Sequence, residues 1–157
     1  MSEHRATIEW HRGEPAFATE TYSRSHVLRF DDAISVPARA APANIPATAP
    51  GGPGIDPEQA FVASLSSCHM LWFLHLACRA GHVVERYVDE AIGVLGKAAD
   101  GRMAMTQVTL RPLVAFSGQA PSDAAHAAHA ALHEKAHARC FIANSVTSAI
   151  VVEPRIV

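Results

Sequence analysis

Hydrophobic and polar positions alternate over residues 5–12 and again over 16–30. In the second stretch Phe17, Thr19 and Thr21 oppose Ala18, Glu20 and Tyr22, and the pattern continues through Val27, Leu28 and Phe30. Both stretches predict β-strands. Asp31-Asp32 marks a turn, and Ile34-Ser35-Val36 predicts a short third strand. Residues 37–56 carry Pro37, Pro42, Pro46, Pro50 and Pro53 with Gly51, Gly52 and Gly54. Proline removes donors and fixes φ, so this stretch suits neither helix nor sheet interior. A loop of this length in a compact domain is expected to be functional or to pack on a partner.

Helix signals follow together. Asp56 is the N-cap candidate, Pro57 suits the first helical position, and Gln59 completes a capping-box spacing. Gly81 supplies the stop. Residues 60–78 hold no charge, and about 20 such residues suffice to span a bilayer. Ser64, Ser66, Ser67, His69 and His75 interrupt that run, so a helix buried on all sides by protein is the preferred reading. Residues 83–98 and 103–116 predict a hairpin turning at Asp100-Gly101. Ser122 opens a second helix reaching about Arg139, and residues 146–153 form a final strand. The order β-β-β-α-β-β-α-β predicts an α+β protein, a single domain over 1–157, with helices packed on mainly antiparallel sheet.

Composition narrows the function. A net charge of −2 with 18% charged residues gives no basic surface for nucleic acid or an acidic membrane. Three cysteines argue against a secreted disulfide framework and for a reducing compartment. The start Met-Ser-Glu-His-Arg-Ala-Thr holds no apolar signal segment, so a cytoplasmic location is expected.

Two of those cysteines carry the candidate chemistry. Cys68 lies inside the uncharged helix, and Cys140 lies 72 residues later, where the second helix ends. Brought together by the fold they form a two-thiol redox pair; apart, they are packing residues, a role free cysteine fills well. Cys68 is too deep in its helix for the N-terminus to lower its pKa, so a reactive thiolate needs a cation from elsewhere. Arg24, expected on the second strand, is the first candidate, and Arg29 the second, on the opposite strand face. Glu58 is the expected carboxylate partner that orients the arginine. Ten residues of helix separate Glu58 from Cys68, about 15 Å of rise, so both cannot serve one site on one continuous helix. A homodimer in which one subunit's Cys68 meets the other's Glu58 resolves this, and a break in the helix is the alternative.

The segment Asp-Pro-Glu-Gln-Ala-Phe-Val-Ala-Ser-Leu-Ser-Ser-Cys-His (56–69), with a second cysteine after the next helix, resembles the OsmC/Ohr family of organic hydroperoxide reductases. The resemblance implies an intertwined homodimer with sites at the interface. It implies a peroxidatic cysteine at Cys68, a resolving cysteine at Cys140, a glutamate at Glu58 and an activating arginine matching Arg24. The implied activity reduces organic hydroperoxides to alcohols through a Cys68–Cys140 disulfide, recycled by an external dithiol, with no cofactor. Phe141 follows Cys140 where the family commonly has proline, and His69 stands where an aromatic is usual, so the chain resembles a divergent branch. Leu71, Trp72, Phe73 and Phe141 are the apolar neighbours expected to favour organic peroxides.

Two other readings accompany this one. One is a dimeric binding protein that keeps the family fold with an inert Cys68. The other uses His126, His129, His133 and His137, spaced 3, 4 and 4 on one helix face. His133-Glu134-Lys135-Ala136-His137 matches the H-E-x-x-H zinc pattern, but a third ligand is required and only Cys140 or Glu153 lies downstream. The preferred reading of the stripe is a partly exposed helix face. Cys78, near the first helix's end, is expected to pack.

Overall fold

A computed structural model describes residues 1–13, 17, 21–31, 33–47, 49, 51–118 and 122–156. The chain divides into two compact units, residues 1–60 and 61–157, the boundary falling after the first turn of a helix.

In the first unit β1 (Thr7–Glu9), β2 (His26–Phe30) and β3 (Ile34–Ala38) form an antiparallel sheet in the order β1-β2-β3. The strand expected over 16–30 is therefore much shorter. Residues 16 and 18–20 lie outside the described residues, as do Asp32 and Pro50, and 21–25 are irregular. Trp10, Phe17 and Tyr22 cluster instead, the last two stacked at 4.6 Å, and Trp10 Nε1–H donates to the Ser23 carbonyl. The loop after β3 returns to pair with it: Arg39 N–H donates to Ile55 O and Ile55 N–H to Pro37 O. Gly54 makes this return at φ 143°, where an added Cβ would lie 2.8 Å from the Ala38 backbone. Only glycine fits there without strain.

The expected capping box forms: Gln59 N–H donates to Asp56 Oδ1 at 2.8 Å, and Asp56 N–H donates to Gln59 Oε1 at 3.1 Å. It opens α1 (Pro57–Arg79), which ends where Gly81 adopts φ 80° and His82 N–H reaches back to Ala77 O.

The second unit holds β4 (Val84–Asp89), β5 (Ile92–Lys97), β6 (Met103–Leu110), β7 (Pro112–Phe116), α2 (Asp123–Arg139), β8 (Ala149–Val152) and β9 (Arg155–Ile156). The predicted hairpin is present, closed by Gly101 N–H to Ala98 O, but each arm is two strands rather than one. The breaks fall at Glu90-Ala91, Arg111 and Glu153-Pro154, giving one sheet ordered β4-β7-β9 and another ordered β5-β6-β8. Asp89 holds the bend: one carboxylate oxygen accepts Arg111 N–H at 2.6 Å and the other accepts the Ser66 hydroxyl of α1. β8 and β9 run parallel to β6 and β7, because α2 serves as a crossover between them.

The bend gives α1 two apolar cores. Phe73 and Ala77 pack with Val114 of β7 and Leu132 and Ala136 of α2, while Leu65 packs with Val108 and Leu110 of β6. Along α1 the fully buried positions are Leu65, His69, Phe73 and Ala77, one stripe four residues apart. The expectation of burial on all sides is thus met on one face only; Leu71 is 60% exposed. The helix is long and apolar enough to cross a membrane, yet Ser66 and His69 are committed to polar contacts inside the protein.

Candidate functional site

α1 presents Cys68 at mid-helix, half-buried, and α2 ends on Cys140, which is 1% exposed. Cys140 caps α2 by donating its N–H to His137 O at 3.1 Å. The fold brings the two thiols side by side, close enough that the Cys68 thiol disfavours the Cys140 thiolate. Burial, reinforced by the adjacent Cys68 thiol, pushes the Cys140 thiol up to about 11, despite the Ala143 N–H that donates to its sulfur at 3.4 Å. Cys140 is therefore a protonated, enclosed thiol, since desolvation penalises its thiolate.

Cys68 faces outward. It lines a cavity of about 560 Å³ with Ser64, Leu71, Trp72, His75 and Phe141. Trp72 meets Phe141 edge-on at 5.4 Å, and the Arg139 guanidinium lies 5.8 Å from the Trp72 ring centre. Three of the four apolar residues expected beside the thiol are thus present. Phe73 is the exception: it points into the core, fully buried, because one residue of helix rotates it away from Trp72. Cys78 does not pack as expected; it is exposed on the last turns of α1.

The remaining candidates belong to residues 1–60. Arg24 precedes β2 instead of lying on it, so its expected strand face does not apply. Its guanidinium sits 4.2 Å over the Tyr22 ring and lines a cavity of about 260 Å³ that also receives Arg39. Arg29, on β2, is engaged by Glu9 at 2.8 Å and by Ser35. Arg29 also lines a cavity, of about 320 Å³ with Arg5, Thr7 and Asp31, so both arginines face open space. Arg39 was not a sequence candidate; it donates Nη1–H to Gly52 O, and its Nε is buried with no acceptor. Nothing in a proline-rich loop distinguishes such an arginine beforehand. Glu58 occupies the first turn of α1, where Oε1 accepts from Asn44 Nδ2 at 3.2 Å and Oε2 is buried without a donor. α1 is continuous from Pro57 to Arg79, so the alternative of a helix break between Glu58 and Cys68 is excluded.

The histidine stripe is not an exposed face. His129 and His133 are each 2% exposed, His137 is half-buried, and His126 alone faces out, donating to the Ser122 carbonyl. His133 stacks on Phe73 at 4.1 Å and His129 on Phe116 at 3.7 Å. Aromatic stacking lets a neutral imidazole take a core position. His133 Nδ1 and His69 Nε2 share a hydrogen bond of 3.0 Å between nearly parallel rings. Burial pushes His69 down to about 4 and His133 down to about 3, with neighbouring imidazoles adding to both shifts. Among the described residues no three His, Cys, Asp or Glu side chains converge as a metal would require, and Glu134 of the H-E-x-x-H pattern is exposed. His69 was legible as part of a buried helix, whereas His133 was read with its stripe as partly exposed, and the pair was not legible at all.

Fold and site together define an α+β protein whose long mid-chain helix carries one thiol of a contacting pair. The OsmC-like protein family matches residues 50–155, and the chain belongs to that family. Its structure is similar to that of an OsmC-like protein of unknown function from Vibrio cholerae O1 biovar eltor str. N16961. The TM-score is 0.90 and the identity 43%, over 98% of this chain and 99% of that one. It shares its fold with the organic hydroperoxide resistance protein OhrB of Bacillus subtilis (TM-score 0.63, 18% identity, 99% and 98% covered). A Legionella pneumophila organic hydroperoxide resistance protein OsmC is comparable (0.61, 17%, 99% and 98%). No curated protein matches the chain significantly.

Proposed function

We propose that this protein is a thiol-dependent peroxidase that reduces organic hydroperoxides to alcohols. The observation that carries the reading is the asymmetry of the thiol pair: Cys68 opens to an apolar cavity, while Cys140 is enclosed and held protonated beside it. The Cys68 thiolate attacks the terminal peroxide oxygen; the O–O bond breaks, Cys68 becomes a sulfenic acid, and the alkoxide takes a proton to leave as alcohol. The Cys140 thiol then attacks that sulfur; the S–O bond breaks, the S–S bond forms, and the thiol proton leaves with the hydroxyl as water. An external dithiol reduces the disulfide by exchange, itself becoming a disulfide. Arg24 stabilises the thiolate and polarises the peroxide, and Glu58 orients Arg24.

The active form is a homodimer in which each site takes Cys68 from one subunit and Glu58 from the other. Two features support this. The rise of about 15 Å separates the two residues on one helix, and Leu71 and Phe141 stand 60% and 68% exposed beside the thiol. A second copy would remove that apolar surface from water.

Thiol mapping by mass spectrometry before and after one equivalent of cumene hydroperoxide tests the reading. A Cys68–Cys140 disulfide with one equivalent of alcohol is expected, and the C140S variant should stop at a Cys68 sulfenic acid. Full peroxide turnover by the C68S variant would show the mechanism to be wrong. Sedimentation equilibrium should give twice the 16.7 kDa chain mass.

A further inference from the structure

Besides apolar packing and ring stacking, two polar contacts link α1 to the end of α2 near the redox pair: the thiols themselves, and the hydrogen bond between His69 and His133. His69 follows Cys68 directly, and His133 lies seven residues, two helical turns, before Cys140. We propose that the His69–His133 hydrogen bond holds the two helices in the register at which Cys68 and Cys140 can close a disulfide, making both imidazoles positioning residues of that step. This inference rests on the Cys68–Cys140 redox reading above.

Closing a disulfide has narrow tolerance. The sulfurs must reach about 2.05 Å at a dihedral near 90°. The apolar contacts between the helices, Phe73 and Ala77 against Leu132 and Ala136, do not supply such precision by themselves. Hydrophobic attraction is non-directional, so those contacts permit sliding and rotation. A 3.0 Å hydrogen bond between ring nitrogens, the rings 2° from parallel, does not. The ring of His133 is further fixed by stacking on Phe73, interplanar angle 21°. Seven residues separate His133 from Cys140 on the buried face shared with Ala136, so a fixed His133 sets the rotation of the helix that delivers Cys140.

The placement also has a cost that packing alone would not require. His69 is 0% exposed and His133 2%, and His69 Nδ1 and His133 Nε2 are buried without partners. An apolar pair would fill the same space with no polar atoms to desolvate. What that pair would lack is direction.

The test separates direction from packing. Wild type, H133L and the double variant H69F/H133L are equilibrated with reduced and oxidised dithiothreitol. Cys68–Cys140 disulfide is read by peptide mapping and Tm by calorimetry. In this exchange the protein dithiol gives up two electrons and two protons to oxidised dithiothreitol. H133L strands one buried imidazole and should lower both Tm and the disulfide equilibrium constant, the latter about tenfold. H69F/H133L should recover much of the Tm yet keep a constant about fivefold or more below wild type. A double variant that closes as readily as wild type overturns the proposal. Should either variant fail to fold, 15N spectra of wild-type imidazoles serve instead. The hydrogen bond should persist in both dithiol and disulfide forms, and its absence from the disulfide form overturns the proposal. A wild type that forms no Cys68–Cys140 disulfide under any condition removes this proposal and the peroxidase reading together. A disulfide formed with dithiothreitol but not with cumene hydroperoxide removes the peroxidase reading and leaves the positioning role standing.

Discussion

Acidifying the protein from pH 7 to pH 4.5 places a calculable load on the core between α1 and α2. His69 and His133 have folded pKa values of about 4 and about 3, lowered mainly by burial, against 6.5 for the unexposed-to-structure reference. The lowered values mean that the unfolded chain binds protons the folded chain refuses. The pair's contribution to stability is thus whole above pH 6.5 and declines as pH falls from there toward 4. At pH 4.5 each imidazole favours unfolding by about 2 to 3 kcal/mol, and the two together by about 5 kcal/mol. A domain of this kind has roughly 5–15 kcal/mol in total, so the loss is decisive. Between pH 6 and 5 this pair should add up to about 3 kcal/mol per pH unit to the slope of unfolding free energy, two protons' worth, beside a smaller share from His129, which burial also lowers. Urea melts across this range measure it. Isolated carboxylates titrate mostly below the window, near pH 4, so they add little to the slope. The H69F/H133L variant should lose both protons' share. A slope equal in wild type and double variant would refute the burial of these imidazoles as neutral groups.

Two further outcomes follow from packing and backbone geometry. Phe73→Ala removes a fully buried ring at the junction of α1, α2 and β7 and should lower stability by about 3–5 kcal/mol in a urea melt. Gly54→Ala places a Cβ against the Ala38 backbone at a φ that L-residues avoid, and should lower Tm, with a loss of roughly 1–3 kcal/mol.

Local chemistry made parts of this structure readable from sequence. Asp56, Pro57 and Gln59 announced the start of α1, and Gly81 its end, because caps satisfy backbone groups within a few residues. The turn between Ala98 and Arg102 was readable for the same reason. The bends at Glu90-Ala91 and Arg111 were not, since alternation of period two runs through a bend unchanged. Nor was β9, two residues long and beyond a proline. The histidine stripe misled because imidazole reads as a surface group until its partner is known, and that partner, His69, is 64 residues away. The pairing of Cys68 with Cys140 came from family resemblance; composition and spacing left it open. Which thiol is enclosed and which is open became visible only with the cavity lined by Trp72 and Phe141.

The doubled core beneath α1 has a mechanical consequence. Leu65 is gripped by one sheet and Phe73 by the other, and Cys68 and His69 fall among the seven residues between the two grips. Cys68 therefore rides at a joint, bordered by two separately packed blocks. Each block can be repacked by mutation while the other keeps its hold on the helix.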